Sequence, residues 1–380
     1  MTIRFIHTAD WQLGMTRRYL SGEAQARFSQ ARVDAIRRIG AVTKEEGAAF
    51  IVVAGDVFET NQVDPKTVRR TLEALSEVSV PVYLLPGNHD PLNAASVYRS
   101  PTFQSKKPDN VIVLDDSVPR IPIAGIEVIG APWMSKQALH DPVESVVAGL
   151  SPSLGNPRVL VAHGAVRDAF KGGGPAAIDV DKAEAAIADK RIGYLALGDR
   201  HSTTSLGTSG RIYYSGSPEP TAYDEVDAGN VLVVELGSDG ECTVRSRRVA
   251  SWRFIANDVG LDGQQDVEAL GRWLEAQPDK ANCVVRLTLA GTISLSVDAE
   301  LQDVLERHRD LFAAVERTTQ SDLLVHPDDD DFSDLALTGF AAEAVGDLRA
   351  TASGLGPQAQ AANDALALIV RLAGNAGAVQ

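Results

Sequence analysis

The first half of the chain alternates short apolar runs with stretches of helical periodicity. Ile3–Ala9 and Ala49–Ala54 read as buried strands, and Val80–Leu85 as a third. Between them, Phe28, Val33, Ile36, Ile39 and Val42 recur at helical spacing within Glu23–Glu46, and Lys66–Val78 reads as a second helix. This β-α-β-α-β order predicts a parallel sheet with right-handed crossovers. Further strands are expected at Val111–Leu114, Ile121–Gly130, Arg158–His163, Ile192–Leu197, Arg211–Tyr214 and Asn230–Leu236. They fit a second sheet packed on the first.

The pattern changes near Ser251. Trp252–Val259, a helix near Asp266–Ala276, Cys283–Leu289, a helix at Asp298–Ala314 and a strand at Val315–Val325 predict a small α+β domain. Beyond it, residues 326–380 hold eight acids and two bases, with the run Asp328–Asp331 reading as a solvated linker. Two Ala-rich helical patterns follow, Leu335–Ala350 and Gln358–Leu372, each too short to be stable alone. The expected boundaries are 1–250, 251–325 and 326–380.

Composition narrows the class. The chain has 380 residues, 44% of them apolar, which suffices for a sizeable core. Cys242 and Cys283 are its two cysteines, which excludes a disulfide scaffold or a Cys-rich zinc module. No run approaches the ~18 apolar residues of a membrane helix, and the first residues show no secretory leader. A cytoplasmic protein without membrane association is the expectation. The net charge of −15 argues against binding nucleic acid over the whole surface and suits a site that holds cations.

The chemistry-bearing residues gather where strands end. Asp10 and Gln12 follow the first strand (HTADWQLG) and Asp56 the second (GDVFE). Asn88, His89 and Asp90 follow the third (LLPGNHD), His163 a later one, and Asp199 and His201 another (LGDRHS). Open α/β sheets place their sites beyond the carboxyl ends of strands. Five strands delivering Asp, Asn and His to one edge make a metal-ligand inventory. Gly55, Gly87 and Gly198 precede candidates and are expected to supply sharp turns. Taken singly, each Asp also reads as a helix cap and His163 as a core histidine. His7 reads as structural, and Trp11 and Leu13 as packing residues alternating with the polar pair.

The order of these motifs resembles the calcineurin-like metallophosphoesterases. HTADWQLG, GDVFE, LLPGNHD and GRIYYSGSPEP are similar to the SbcD-type DNA repair exonucleases over about residues 1–325. The resemblance implies an α/β, two-sheet calcineurin-like metallophosphoesterase sandwich with a small α+β capping domain and C-terminal helices. It implies a two-metal DNA phosphodiesterase, specifically a manganese-dependent exonuclease in double-strand-break repair or end processing. Fe2+, Zn2+ or Mg2+ are the other metals open. By the same resemblance Asp10 and His201 fall on ligands of a first metal, Asp56 on the bridging carboxylate, and Asn88 and His163 on ligands of the second. His89 falls on the histidine that stabilises the transition state or protonates the leaving oxygen, with Asp90 orienting it.

Two positions depart from the family pattern, which has histidine where this chain has Gln12 and Asp199. Both keep an oxygen donor, and Asp199 lowers the formal site charge from +2 to +1. The resemblance also implies that the C-terminal helices bind an SMC-like coiled-coil ATPase, and leaves a homodimer open. Apolar stripes at Leu335, Leu337, Phe340 and Val345, and at Leu366, Ile369, Val370 and Leu372, would serve that contact or pack on the protein's own domains. Arg17, Arg18, Arg167, Arg200 and Arg211 flank the motifs and are candidates for DNA phosphates. The rival readings are a phosphodiesterase for nucleotides or other small phosphoesters, and a DNA-end-binding scaffold weakened at Gln12 and Asp199.

Overall fold

The computed structural model describes residues 2–123, 125–153, 155–167, 174–238, 240–326, 339–354 and 356–377. The acidic run Asp328–Asp331 and Leu335 and Leu337 lie outside them. The chain divides into two compact units, the first essentially residues up to Arg253 and the second Phe254 onward together with Tyr19–Ala24.

In the first unit the expected strands and helices appear as β1 (Thr2–Thr8), α1 (Gly22–Glu45), β2 (Ile51–Val53), α2 (Pro65–Ser76) and β3 (Val82–Leu84). Next come α3 (Pro101–Lys106), β4 (Val111–Val113), β5 (Glu127–Ala131), α4 (Pro142–Val147), β6 (Arg158–His163) and α5 (Val180–Ala188). The unit closes with β7 (Tyr194–Gly198), β8 (Thr204–Leu206), β9 (Ile212–Tyr214), β10 (Asn230–Gly237) and β11 (Cys242–Arg248). One sheet runs β11-β10-β1-β2-β3-β4 and the other β5-β6-β7-β9-β8. Strands β1 to β4 are mutually parallel, as are β5, β6, β7 and β9. The chain is a mixed α/β fold, and its first unit has two packed sheets.

Burial explains the pairing. Phe5, Phe50, Tyr83, Val128, Val161 and Tyr194 fill one apolar layer drawn from both sheets. Phe5 stacks on Phe50 with centroids 4.9 Å apart, and Tyr194 meets Phe5 edge-on. The outer face of the first sheet is covered by the apolar stripes of α1 and α2, including Ile36, Ile39, Leu72 and Leu75. The outer face of the second is covered by Val143, Val147, Ala183 and Ile187 of α4 and α5. These two helices escaped the sequence pattern, being six and nine residues long. Their signals were local: Asp141 and Asp179 each accept a backbone N–H as N-caps, and Pro142 opens α4.

Two expected strands are corrected. The run from Ile121 to Gly130 pairs as a strand from Glu127 onward only, with Ile121 left exposed. The strand expected over Val315–Val325 is two, β14 (Ala314–Arg317) and β15 (Asp322–His326). Both lie along the long β13 (Cys283–Ser294), one beside each half. Together with β12 (Arg253–Leu261) they form the sheet of the second unit. Helices α6 (Gln264–Glu275) and α7 (Leu295–Arg309) supply Leu270, Leu274, Leu301 and Val304 to its core. The last helices, α8 (Phe340–Ala352) and α9 (Pro357–Gly377), place Val345 and Leu366 against Leu295. Part of the expected stripes is therefore internal packing, whereas Phe340 is exposed, as is Leu368 outside the stripes, and the side chains of Val370 and Leu372 lie outside those described. No helix among the described residues is long and apolar enough to cross a membrane.

Both cysteines are free thiols. Cys283 is buried, and burial pushes the Cys242 thiol up to about 11. At pH 8 the reactive thiolate of Cys242 is then about a hundredfold scarcer than in an ordinary cysteine. Labelling of native protein by a thiol reagent should be correspondingly slow and should become fast on denaturation.

Candidate metal centre

The carboxyl ends of β1, β2, β3, β6 and β7 meet at one edge. The Asp10 N–H donates to the Gly55 carbonyl at 3.1 Å and the Gln12 N–H to the Asp56 carbonyl at 2.9 Å, so the first two loops run side by side. Asp10 (φ 54°), Gln12 (φ 44°), Asp56 (φ 51°) and Asp199 (φ 105°) all hold left-handed backbone. That conformation costs of order 1 kcal/mol for a residue with a Cβ. Four strained residues on one edge mark a place where side-chain direction outweighs backbone comfort.

The glycines act differently from expectation. Of the three, Gly55 alone has a positive φ, +95°. At Gly87 a Cβ would stand 2.2 Å from Asp56 Oδ1, and at Gly198 one would stand 2.0 Å from the Ala54 carbonyl oxygen. Close approach of backbone to the site, rather than a special turn, demands glycine at these two positions.

Asp10, Asp56 and His163 present ligand atoms within 4.8 Å of one another, all buried. His163 Nδ1 lies 2.9 Å from the Ala54 carbonyl, so that nitrogen carries the proton and donates. Nε2 is thereby turned toward Asn88 Oδ1 at 2.9 Å, Asp56 Oδ1 at 3.4 Å and Asp199 Oδ1 at 3.6 Å. His201 repeats the arrangement. Its Nδ1 donates to Glu225 Oε1 at 2.9 Å, and Nε2 lies 3.1 Å from the Gln12 amide nitrogen. The other end of that amide, Gln12 Oε1, is buried and has no hydrogen-bond partner among the described residues. The Asp199 N–H donates to both oxygens of Asp10 at 3.1 Å.

The electrostatics are those of an anionic nest. Burial pushes the Asp10 carboxyl up to about 7, aided by Asp56 and Asp199 and opposed by His201 and His163. Burial disfavours a charge on His163, yet Asp56, Asp10 and Asp199 hold its proton affinity well above the ordinary imidazole value. Burial alone would raise Asp56, but His163 and His89 outweigh it and hold the carboxyl below the usual range. Three carboxylates, two imidazole Nε2 atoms and the amides of Asn88 and Gln12, the latter with its oxygen unpartnered among the described residues, make up the donor set. That donor set fits divalent cations, with Asp56 between His163 and the rim histidine His89.

His89 stands at the rim. Its backbone N–H donates to Asp56 Oδ1 at 3.0 Å, its Nδ1 to the Glu59 carbonyl at 2.9 Å, and its Nε2 lies 3.9 Å from Asp56 Oδ2. The orienting role expected of Asp90 is corrected. The Asp90 carboxylate is buried and accepts from the Phe58 N–H, the Gly87 N–H and the Tyr98 hydroxyl. It fastens the loop backbone, and the Glu59 carbonyl holds the His89 ring.

The arginine candidates separate. Arg211 precedes β9, with its carbonyl accepting the Leu195 N–H, and its guanidinium reaches the Gly240 carbonyl. It therefore lies at the opposite end of the sheet from Asp199 and is withdrawn as a site residue. Arg17 donates to the Thr221 carbonyl at 2.7 Å and Arg200 to the Thr204 hydroxyl at 2.9 Å. Arg18 and Arg167 are exposed.

Sequence reasoning missed the supports. Trp11 and Leu13 are buried as expected. His7, bonded to the Tyr194 hydroxyl and the Leu197 carbonyl, is pushed down to about 3 by burial and is structural. Not foreseen were Glu225, the Trp133 indole donating to the His163 carbonyl at 2.7 Å, and Ser217 donating to the Asp10 carbonyl at 3.1 Å. Glu219 of the same SGSPEP segment is buried, pairs with Arg38 and accepts from Ser251 and Trp252. The motif is a latch that holds the Asp10 loop.

The calcineurin-like phosphoesterase family matches residues 3–204, more than half of the chain. The chain belongs to this family. Within the calcineurin-like phosphoesterases it is similar to the DNA double-strand break repair protein Mre11 of Archaeoglobus fulgidus, at 28% identity over 60% of this chain and 53% of that protein. It is 37% identical to the D component of the nuclease SbcCD of Bacillus subtilis over 23% of this chain and 22% of that protein. The chain thus spans about half the length of the first of these relatives and less of the second. A dimetal phosphatase from Danio rerio aligns with a TM-score of 0.41 and 11% identity, over 65% of this chain and 96% of that one.

Proposed function

We propose that this chain is a two-metal DNA phosphodiesterase, a manganese-dependent exonuclease that processes DNA ends in double-strand-break repair. The observation that carries the reading is the pair of histidines, each with Nδ1–H tied to an acceptor and Nε2 left facing the strand-end loops, His163 toward Asp56 and Asn88 and His201 toward Gln12. The name of the Archaeoglobus relative, a DNA double-strand break repair protein, supports DNA as the substrate, and that of the Bacillus relative supports a nuclease.

On this reading Asp10, Gln12, Asp56 and His201 hold one ion, and Asp56, Asn88, His163 and Asp199 the other. When bound, the two ions supply an activated water and charge stabilisation for in-line displacement at phosphorus. The chain's own part is to fix that geometry. The Ala54 carbonyl and Glu225 set the tautomers of His163 and His201. With Nδ1–H held by the Glu59 carbonyl, His89 Nε2, on a side chain 40% exposed, is the nitrogen placed to meet the leaving oxygen, and it would donate there when the ring carries both protons. His89→Ala should leave metal content nearly intact while lowering the rate about 10²–10⁴-fold. Loss of an ion in that variant, by elemental analysis, would make His89 a ligand instead.

An SMC-like ATPase partner belongs to the same proposal, and the exposed Phe340 and Leu368 are its candidate contacts. The deciding experiment for the activity is a metal series. Chelator-stripped protein is returned Mn2+, Fe2+, Zn2+ or Mg2+ and given end-labelled duplex DNA, single-stranded DNA, a cyclic nucleotide and a chromogenic diester. Release of nucleotides from DNA ends, greatest with Mn2+, is expected. Hydrolysis confined to the small esters would overturn the nuclease reading.

A further inference from the structure

One segment at the edge of the centre has a composition unlike the rest of the chain. Residues 132–140, PWMSKQALH, follow β5 and contain no carboxylate, in a protein with 51 acidic residues. Both ends of the segment are anchored. The Trp133 N–H donates to the Pro86 carbonyl at 3.1 Å and its carbonyl accepts the Leu92 N–H at 2.8 Å, which ties it to the loop bearing Asn88 and His89. The Trp133 ring stands edge-on to His163 with centroids 6.3 Å apart, and its indole N–H holds the His163 carbonyl. At the far end, buried Asp141 caps α4 and accepts the Asp179 N–H at 2.9 Å.

Between these anchors the apolar side chains point outward. Met134 is 57% exposed and Leu139 71% exposed, with Lys136 exposed between them. Apolar groups of this size on a short surface loop gain nothing from water. A cation placed between them suits an anionic partner with flat apolar faces. The loop beside His201 contrasts. Val226 is 65% exposed, but it stands among Asp224, Glu225 and Asp227, beside His201. The 132–140 segment differs in carrying a cation and no carboxylate.

We propose that the 132–140 loop is a binding surface for unpaired nucleotides at a DNA end. Met134 and Leu139 pack against base faces, Lys136 meets a backbone phosphate, and Trp133 fixes the loop relative to His163. The inference rests on the DNA reading above and adds to it a substrate class, ends with single-stranded tails, and a side of approach.

The test uses the full chain and fluorescent duplexes that are either blunt or carry a short single-stranded tail, with Ca2+ present and binding read by anisotropy. Wild type should prefer the tailed duplex. Met134→Ser with Leu139→Ser should lose about tenfold in affinity for it, of the order expected when apolar side-chain surface is no longer buried on binding, and bind both duplexes alike. Lys136→Gln should lower the salt dependence of tailed-duplex binding by about one ion. Hydrolysis of a chromogenic diester should stay within about twofold in every variant, which reports an intact centre. Unchanged preference for tails in the double variant would overturn the loop's role while leaving the nuclease reading standing. Wild type that hydrolyses the diester but binds neither duplex would overturn the DNA reading, and this inference with it.

Discussion

Asp56→Asn is expected to abolish turnover and to lower the occupancy of both ions. The carboxylate is buried, and its Oδ1 lies 3.4 Å from His163 Nε2 while also accepting the His89 N–H. Its second oxygen faces the His89 ring. The carboxylate lies in one buried cluster with Asp10 and His163. An amide keeps the shape but offers one neutral oxygen where two cations need an anion. The backbone cost of holding residue 56 at φ 51° remains in the variant, since asparagine tolerates that region as aspartate does. The fold should therefore persist in chelator as one cooperative melting transition, which separates loss of metal from loss of structure. Near-normal activity with two bound ions would exclude Asp56 as the bridge.

Much of this centre was legible in the sequence because metal sites on α/β sheets sit where strands end, and strand ends can be read from hydrophobic runs. Asp10, Asp56, Asn88, His163 and Asp199 each follow such a run and meet at one edge. What stayed hidden was whatever depends on a third element arriving from far along the chain. Glu225 holds His201 from a loop with no apolar pattern of its own, and Trp133 reaches His163 across 30 residues. Asp90 illustrates the opposite error. Its neighbour in sequence is His89, but the φ/ψ path of the loop carries its carboxylate to Phe58, Gly87 and Tyr98. Arg211 shows the same limit, since flanking a motif in sequence placed it at the wrong end of a parallel strand. Helices α4 and α5 were lost for a different reason. They are too short for periodicity to emerge, so only their caps announced them.

Gln12 and Asp199 are expected to be working ligands, which the weakened-scaffold reading denies. Each is held in left-handed backbone, at φ 44° and φ 105°, a cost a vestigial residue has no reason to retain. Gln12 Oε1 is buried without a partner among the described residues, and an orphaned amide oxygen costs about 1–3 kcal/mol unless a ligand satisfies it. Asp199 Oδ1 lies 3.6 Å from His163 Nε2, and its backbone N–H is fixed on Asp10. Asp199→Ala should therefore lose one ion of two, measured by elemental analysis, with at least a hundredfold fall in rate. Gln12→Ala should weaken the other ion and leave the first in place. Asp199→His restores a neutral donor and raises the net charge of the loaded centre by one. A more positive centre acidifies its bound water, so the activity optimum should move to lower pH. Unchanged stoichiometry and rate in Asp199→Ala would remove that residue from the ligand set and return the scaffold reading to contention.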